Sequence, residues 1–348
     1  MSASDAPPPM ERPDGTSRSA AQPRADAASP LLIAGDIGGT SSRLVLAAPD
    51  GAVLAEAEGP GANLRSSGTA ALDNVSRTAG EVLARGRELG ARGEIAAVAL
   101  GISGAGPARA AEVRLAVGER LADLGIDPRH VLVIDDLHTA FLSGGVGDDG
   151  LLVLAGTGAV AVRFQEREAV DRRDGMGWLL GDIGSAVWLG RRTLEAVAAD
   201  LDGRGPRTRL TEEVGSMLGL DLRDGAQPPS PTGDPRQDLI RALDDQLPAG
   251  APAALGRFAR LPGTVARDPV AREILDLAID HVLETVQALD PRGGLPVVLA
   301  GSVLTGTGPL NEAVTEGLRS AGRSFRIAPT GLPGALLLAR EQAAALRS

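Results

Sequence analysis

Two stretches of this chain repeat one pattern: an apolar strand, a short glycine and threonine turn, and a second apolar strand. The first runs through Leu31-Leu32-Ile33-Ala34-Gly35-Asp36, turns at Ile37-Gly38-Gly39-Thr40 and resumes at Leu44-Val45-Leu46. The second runs through Leu151–Ala155, turns at Gly156-Thr157-Gly158 and resumes over Ala159–Phe164. A buried strand that reverses within a few residues must pair antiparallel with the next strand. A chain that does this twice is expected to be an internal duplication. Each copy extends into a meander: Pro49-Asp50-Gly51 signals a hairpin before Val53-Leu54, and a third short strand is expected near Ala169.

Helical periodicity over about 70–89 and 108–124 alternates with strand-like runs at 95–100 and 131–134, which predicts an α/β architecture. Further helices are expected over about 185–201, 239–247 and 269–289, then a strand at 297–300 and a closing helix over 332–346. Residues 203–235, rich in Gly, Pro and Asp, are expected to form a variable excursion. Residues 1–29, with Pro7-Pro8-Pro9 and no periodicity, are expected to be a disordered tail. The remainder divides into one domain over 30–140, a second over 141–330, and a C-terminal helix over 331–348 that returns to the first.

Composition narrows the chemistry. The chain has no cysteine, so disulfides, iron–sulfur clusters, zinc–thiolate sites and thiol nucleophiles are excluded. Every basic residue is arginine, which also removes Schiff-base lysines, the Walker A lysine and the strand lysine of protein kinases. A chain of this kind that handles a nucleotide must hold its phosphates with amides, hydroxyls, arginine or a metal. A net charge of −10 argues against nucleic acid and anionic membranes as partners, and no apolar run approaches the ~20 residues of a membrane span. With no apolar signal core near the start, a cytoplasmic location is expected.

The glycine turns are where such chemistry would sit. Backbone amides at Gly38, Gly39 and Thr40 can form a nest for phosphate oxygens, and Asp36 at the strand end can orient water on a magnesium ion. Gly156, Thr157 and Gly158 occupy the matching place in the second copy. Gly301-Ser302, after a third apolar strand, is placed to pack against a nucleobase or ribose. Asp135 and Asp136 end a strand, where α/β proteins put ligand sites; one of them is expected to cap the helix beginning at Leu137. His138, alone on that helix, is expected to be structural.

On these residues the chain resembles the sugar-kinase branch of the actin–hexokinase–Hsp70 superfamily, specifically N-acetylglucosamine kinases of the BadF/BadG/BcrA/BcrD type. Asp36–Thr40 is similar to the family's first phosphate motif, Gly156–Gly158 to its second and Ala300-Gly301-Ser302-Val303 to its adenosine motif. The most specific stretch, Gly175-Met176-Gly177-Trp178-Leu179-Leu180-Gly181-Asp182-Ile183-Gly184-Ser185, is similar to the family's sugar-proximal signature. Met176 departs from it, standing where relatives usually carry tryptophan. The resemblance implies two RNase H-like (actin-like ATPase) domains around a ligand cleft, ATP and Mg2+ as cofactors, and a homodimer. It also implies Asp136 as the catalytic base, Asp182 as acceptor of a sugar hydroxyl, and sugar contacts from Asn63, Gly175, Met176 and Gly177. The activity implied is transfer of phosphate from ATP to the 6-hydroxyl of N-acetylglucosamine, with glucosamine, glucose or N-acetylmuramate as alternative acceptors.

Other branches of this fold fit less well. Activators of 2-hydroxyacyl-CoA dehydratases hold an iron–sulfur cluster through cysteines, which are absent here. Sugar-sensing regulators carry a DNA-binding helix-turn-helix for which residues 1–29 are too short and irregular, and the other bacterial sugar-kinase group often carries a zinc-binding cysteine cluster. A catalytically inactive nucleotide-binding or sugar-binding regulator stays open as an alternative, against which the presence of Asp36, Thr40, Asp136 and Thr157 together argues.

Overall fold

In the computed structural model the described residues are 29–62, 64, 68, 70–106, 108–222, 232–247 and 252–348. Residues 1–28 of the expected tail over 1–29, and Asn63, lie outside them.

Strand β1 (Leu31–Ile37) is buried on both faces, so helices must cover its sheet on both sides. It pairs antiparallel with β2 (Ser41–Ala47), which pairs antiparallel with β3 (Val53–Pro60). On its other edge it pairs parallel with β4 (Ile95–Ile102), which pairs parallel with β5 (Val131–Asp135). A second sheet repeats the plan with β6 (Gly150–Ala155), β7 (Ala159–Gln165), β8 (Glu168–Asp174), β9 (Val297–Ala300) and β10 (Phe325–Ala328). The orders are β3-β2-β1-β4-β5 and β8-β7-β6-β9-β10, so the duplication extends from the turn motifs to the whole sheet.

The helices α1 (Ala70–Glu88) and α2 (Ala110–Ala122) cover one face of the first sheet. Val75, Val82, Val113, Val117 and Leu121 close there over Ile33, Leu44, Leu46 and Leu100. After β5 the chain crosses: α3 (Asp136–Ser143) lays Ala140 and Phe141 on Val160, Val162 and Val298 of the second sheet. Phe141 stacks on Phe164 with ring centroids 4.3 Å apart. The opposite face of that sheet is covered by α4 (Ala186–Leu201), α5 (Leu210–Leu218), α6 (Pro235–Gln246), α7 (Pro269–Leu289) and α8 (Pro309–Ser320).

The last helix, α9 (Leu332–Ala345), crosses back to the first sheet. Its Ala335, Ala339 and Ala343 recur every fourth residue, making one stripe of small side chains along the helix. They meet Ala34, Val45, Leu32, Ala97 and Ala99 of the strands. Small residues on both surfaces bring helix and sheet close together. A Cβ on Gly101 of β4 would collide with Thr139 Oγ1 on α3, and one on Gly334, where α3 and α9 cross, with the Thr139 carbonyl. Glycine is needed there for close approach.

The structure corrects one expectation, and α8 and β10 are among the elements it adds. Residues 203–235 are not a plain excursion, because α5 lies inside them with Leu210, Val214 and Leu218 buried at helical spacing in the second core. Helix α8 was legible in principle from Leu310, Val314 and Leu318, four residues apart. Strand β10, four residues and half exposed, is too short to carry a period. Since Leu210 is fully buried, Leu210→Ala should lower the unfolding free energy by about 2–5 kcal/mol. Met217→Ala, at a partly exposed position of the same helix, should change it by less than about 0.5 kcal/mol. Denaturant titration of both variants checks this; equal small effects would return the segment to a peripheral role.

Candidate active site

Strands β1, β4 and β5 run parallel, with Asp36 level with Gly101 and Ile102 level with Asp135. Asp36, Ser103, Asp135 and Asp136 therefore emerge together at the carboxyl end of the sheet, where open α/β sheets hold their ligands. The helix begins at Asp136, and its cap is Asp135, whose Oδ1 accepts the Leu137 N–H at 3.0 Å. That leaves the Asp136 carboxyl unspent on the helix. Burial, a hydrogen bond to Asp135 and the charges of Asp135 and Asp36 push it well above the ordinary carboxylate range, against the opposing pull of the Ser103 hydroxyl.

Asp36 Oδ2 accepts the N–H of Gly331, the residue just before α9, at 2.7 Å. Among the described residues no group of three or more His, Asp or Glu side chains forms a metal cage. Mg2+ does not need one, since it usually keeps several waters and binds through one or two carboxylates plus substrate phosphates. Asp36, beside like-charged neighbours that a cation would relieve, suits that chemistry. His138 packs edge-on to Phe164 at 5.1 Å, and burial lowers its pKa, so it is a neutral packing residue.

Both hairpins expose their turns. The Gly38 N–H donates to the Ser41 carbonyl at 2.9 Å, which leaves Gly39 and Thr40 exposed. In the second copy Gly156 N–H donates to the Gly158 carbonyl at 2.9 Å, with Thr157 exposed. The Gly156 carbonyl accepts the Ala186 N–H at the start of α4. Gly301 packs on the Ala155 carbonyl, so the second hairpin and the exposed Ser302 are neighbours.

The signature segment joins β8 to α4. Asp182 sits at φ +55°, and its Oδ1 accepts the Gly177 N–H at 3.2 Å. The carboxylate also takes the Ala159 N–H and lies against Gly158, so Asp182 is tied to the second hairpin. Burial raises its pKa, and the charge of Asp174 adds to this against the Gly177 bond. Gly175 gives its carbonyl to Arg172. Met176 is 66% exposed, and Trp178, Leu179 and Leu180 are exposed beside it, so Met176 fills no packed space. The structure thus gathers Asp36 with Asp136, and Gly156–Gly158 with Gly301, Ser302 and Asp182. Ser103, Gly331 and Asp174 were missed in the sequence. Ser103 had a signal, lying in the glycine-rich run after β4, whereas Gly331 and Asp174 are brought in by distant elements.

Residues 35–339 match the BadF/BadG/BcrA/BcrD ATPase family. The chain is 27% identical over 190 residues to the N-acetylmuramic acid/N-acetylglucosamine kinase of Clostridium acetobutylicum, covering 53% of this chain and 59% of that protein. It is 34% identical over 87 residues to the N-acetyl-D-glucosamine kinase of Dictyostelium discoideum, covering 25% and 27%. The matches therefore span less than two thirds of the length of these curated relatives. Among solved structures, a protein of Chromobacterium violaceum described as a candidate N-acetylglucosamine kinase is similar with a TM-score of 0.68 at 28% identity, covering 90% of this chain and 100% of the other. The two repeated α/β halves are of this actin-like ATPase type.

The raised pKa of Asp136 has a consequence for stability. In the unfolded chain Asp136 ionises near 3.8, and in the folded protein well above it. The folded state thus holds an extra proton across that interval, and stability falls as pH rises through it. Asp136→Asn removes this penalty. Without nucleotide or metal, the variant should melt above the wild type at pH 7.5, and the gap should close toward pH 4. Thermal melts across that range check it; a variant melting at or below the wild type throughout would contradict the electrostatics described for the cluster.

Proposed function

This chain belongs to the BadF/BadG/BcrA/BcrD ATPase family, and we propose that it transfers the terminal phosphoryl group of ATP to the 6-hydroxyl of N-acetylglucosamine. The observation that carries this reading is Asp136: a carboxyl freed from capping by Asp135, raised in pKa, and beside Asp36 at the open end of the first sheet. A base near the working pH accepts a proton most effectively, and burial with neighbouring charge brings a carboxylate toward that range.

In this reading Asp136 takes the proton from the sugar hydroxyl as its oxygen attacks the phosphorus in line with the leaving ADP oxygen. The Gly38 and Gly156 amides close their turns on Ser41 and Gly158, so the amides of Gly39, Thr40, Thr157 and Gly158 and the hydroxyls of Thr40 and Thr157 would hold the phosphates in place of the missing lysine. Gly301 and Ser302 would face the adenosine. Asp36 would hold Mg2+ through water, and bound Mg2+ would neutralise charge on the phosphate oxygens. Asn63, Gly175, Met176, Gly177 and Asp182 orient the sugar. Two halves that close on their ligands would keep water from hydrolysing ATP.

N-acetylmuramate is the second reading. The Clostridium relative is named for both sugars, and the exposed Met176 leaves open space beside its loop. A coupled ADP-release assay over N-acetylglucosamine, N-acetylmuramate, glucosamine and glucose separates them. Asp136→Asn should lower kcat by roughly a hundredfold or more, with sugar affinity far less affected because the amide keeps the hydrogen-bonding shape. Near-normal turnover in that variant would assign the base elsewhere. Met176→Trp should shift the ratio of kcat/KM between sugars by about 5–150-fold toward one of them, the equivalent of ~1–3 kcal/mol. An unchanged ratio would remove Met176 from specificity.

A further inference from the structure

Asp174, the last residue of β8, is used by no step above, yet its carboxylate is the most heavily bonded group of the signature segment. It sits at φ +58° with a side chain 8% exposed. Its Oδ1 accepts the Asp182 N–H at 2.7 Å and the Met176 N–H at 3.4 Å, and its Oδ2 accepts the Ile183 N–H at 2.9 Å. His281 on α7 adds its Nε2 at 3.2 Å from the same Oδ2. A Cβ on Gly181 would collide with Oδ1, so the chain there is shaped around the carboxylate. Burial would raise the Asp174 pKa, but the bonds from His281, Asp182, Ile183 and Met176 outweigh it and hold it down at about 2.

One anion thus clamps both ends of the segment between residues 176 and 183 and pins it to α7. The clamp extends further, because Asp182 turns its own carboxylate to Gly177 and to Ala159 beside the second hairpin. We propose that Asp174 is a positioning residue for the acceptor sugar: with His281 as its anchor, it holds residues 175–184 in the shape that presents Gly177 and Asp182 to the substrate. This rests on the amino-sugar kinase reading. It adds a residue that touches no substrate but sets how well the sugar is held.

The test compares wild type, Asp174→Asn and His281→Gln as full chains. Asparagine tolerates positive φ, so the first variant removes the charge without straining the backbone. Its single carbonyl oxygen cannot serve amides on both sides, and its NH2 group faces a donor. Amide hydrogen exchange over 176–183 should speed up at least tenfold in Asp174→Asn. Its KM for N-acetylglucosamine should rise at least tenfold while kcat at saturating sugar stays within threefold. His281→Gln keeps a donor toward Oδ2, and its sugar KM should rise by less than threefold. Unchanged exchange, an unchanged sugar KM, or a fall in kcat that matches a general loss of melting temperature would each overturn the assignment. A wild type that releases ADP with none of the four sugars would instead overturn the kinase reading, and this assignment with it.

Discussion

Thr139 stands where two crossing helices and a strand meet, and the arrangement of the site depends on how tightly they meet there. Its side chain is fully buried, and Gly101 of β4 with Gly331 and Gly334 at the start of α9 close around it. A side chain at Gly101 would force α3 off β4, and one at Gly334 would force α3 and α9 apart. Thr139 Oγ1 also bonds the Asp136 carbonyl at 3.0 Å, and the Gly334 N–H bonds Ser143 Oγ at 2.8 Å. The same contact that packs the two halves together therefore sets the first turn of α3, where Asp136 sits. It also brings the Gly331 amide to Asp36.

That geometry gathers three carboxyl groups at one sheet edge, which is electrostatically unfavourable without ligand. Like charges within a half-buried cluster keep one proton bound longer than an isolated carboxyl would. A site that handles phosphates and a divalent cation benefits from this poise, since a bound cation reverses the local balance. With no lysine in the chain, the positive side of phosphate binding is left to turn amides, hydroxyls, arginine and a cation, and the two exposed hairpins offer the first two. The fold thus puts acidic groups on one half and amide-rich turns on both, joined through α3 and α9.

Much of this was legible in the sequence because it rests on local pattern. The repeated strand, turn and strand marked both sheets, and the apolar run into Asp135-Asp136 marked the carboxyl edge. Contacts between distant segments escaped. Asp174 has no motif of its own, since its meaning comes from amides eight and nine residues on and from His281 on a helix 107 positions away. Gly331 reads as an ordinary residue before a proline-started helix until its amide is seen on Asp36. Helix α5 was hidden by the Gly, Pro and Asp around it, although its apolar spacing was present. Which of the paired aspartates caps the helix could not be read from two adjacent identical residues, and only the geometry separates them.

In the proposed reaction the carboxyl end of the first sheet directs phosphate onto one hydroxyl of an amino sugar. Two-dimensional phosphorus–proton NMR of the product formed from ATP, Mg2+ and N-acetylglucosamine tests it most directly. The expected result is one sugar-phosphate resonance coupled to the two protons on C6, appearing in step with ADP. A product phosphorylated at another position, or ADP accompanied only by inorganic phosphate, would contradict it.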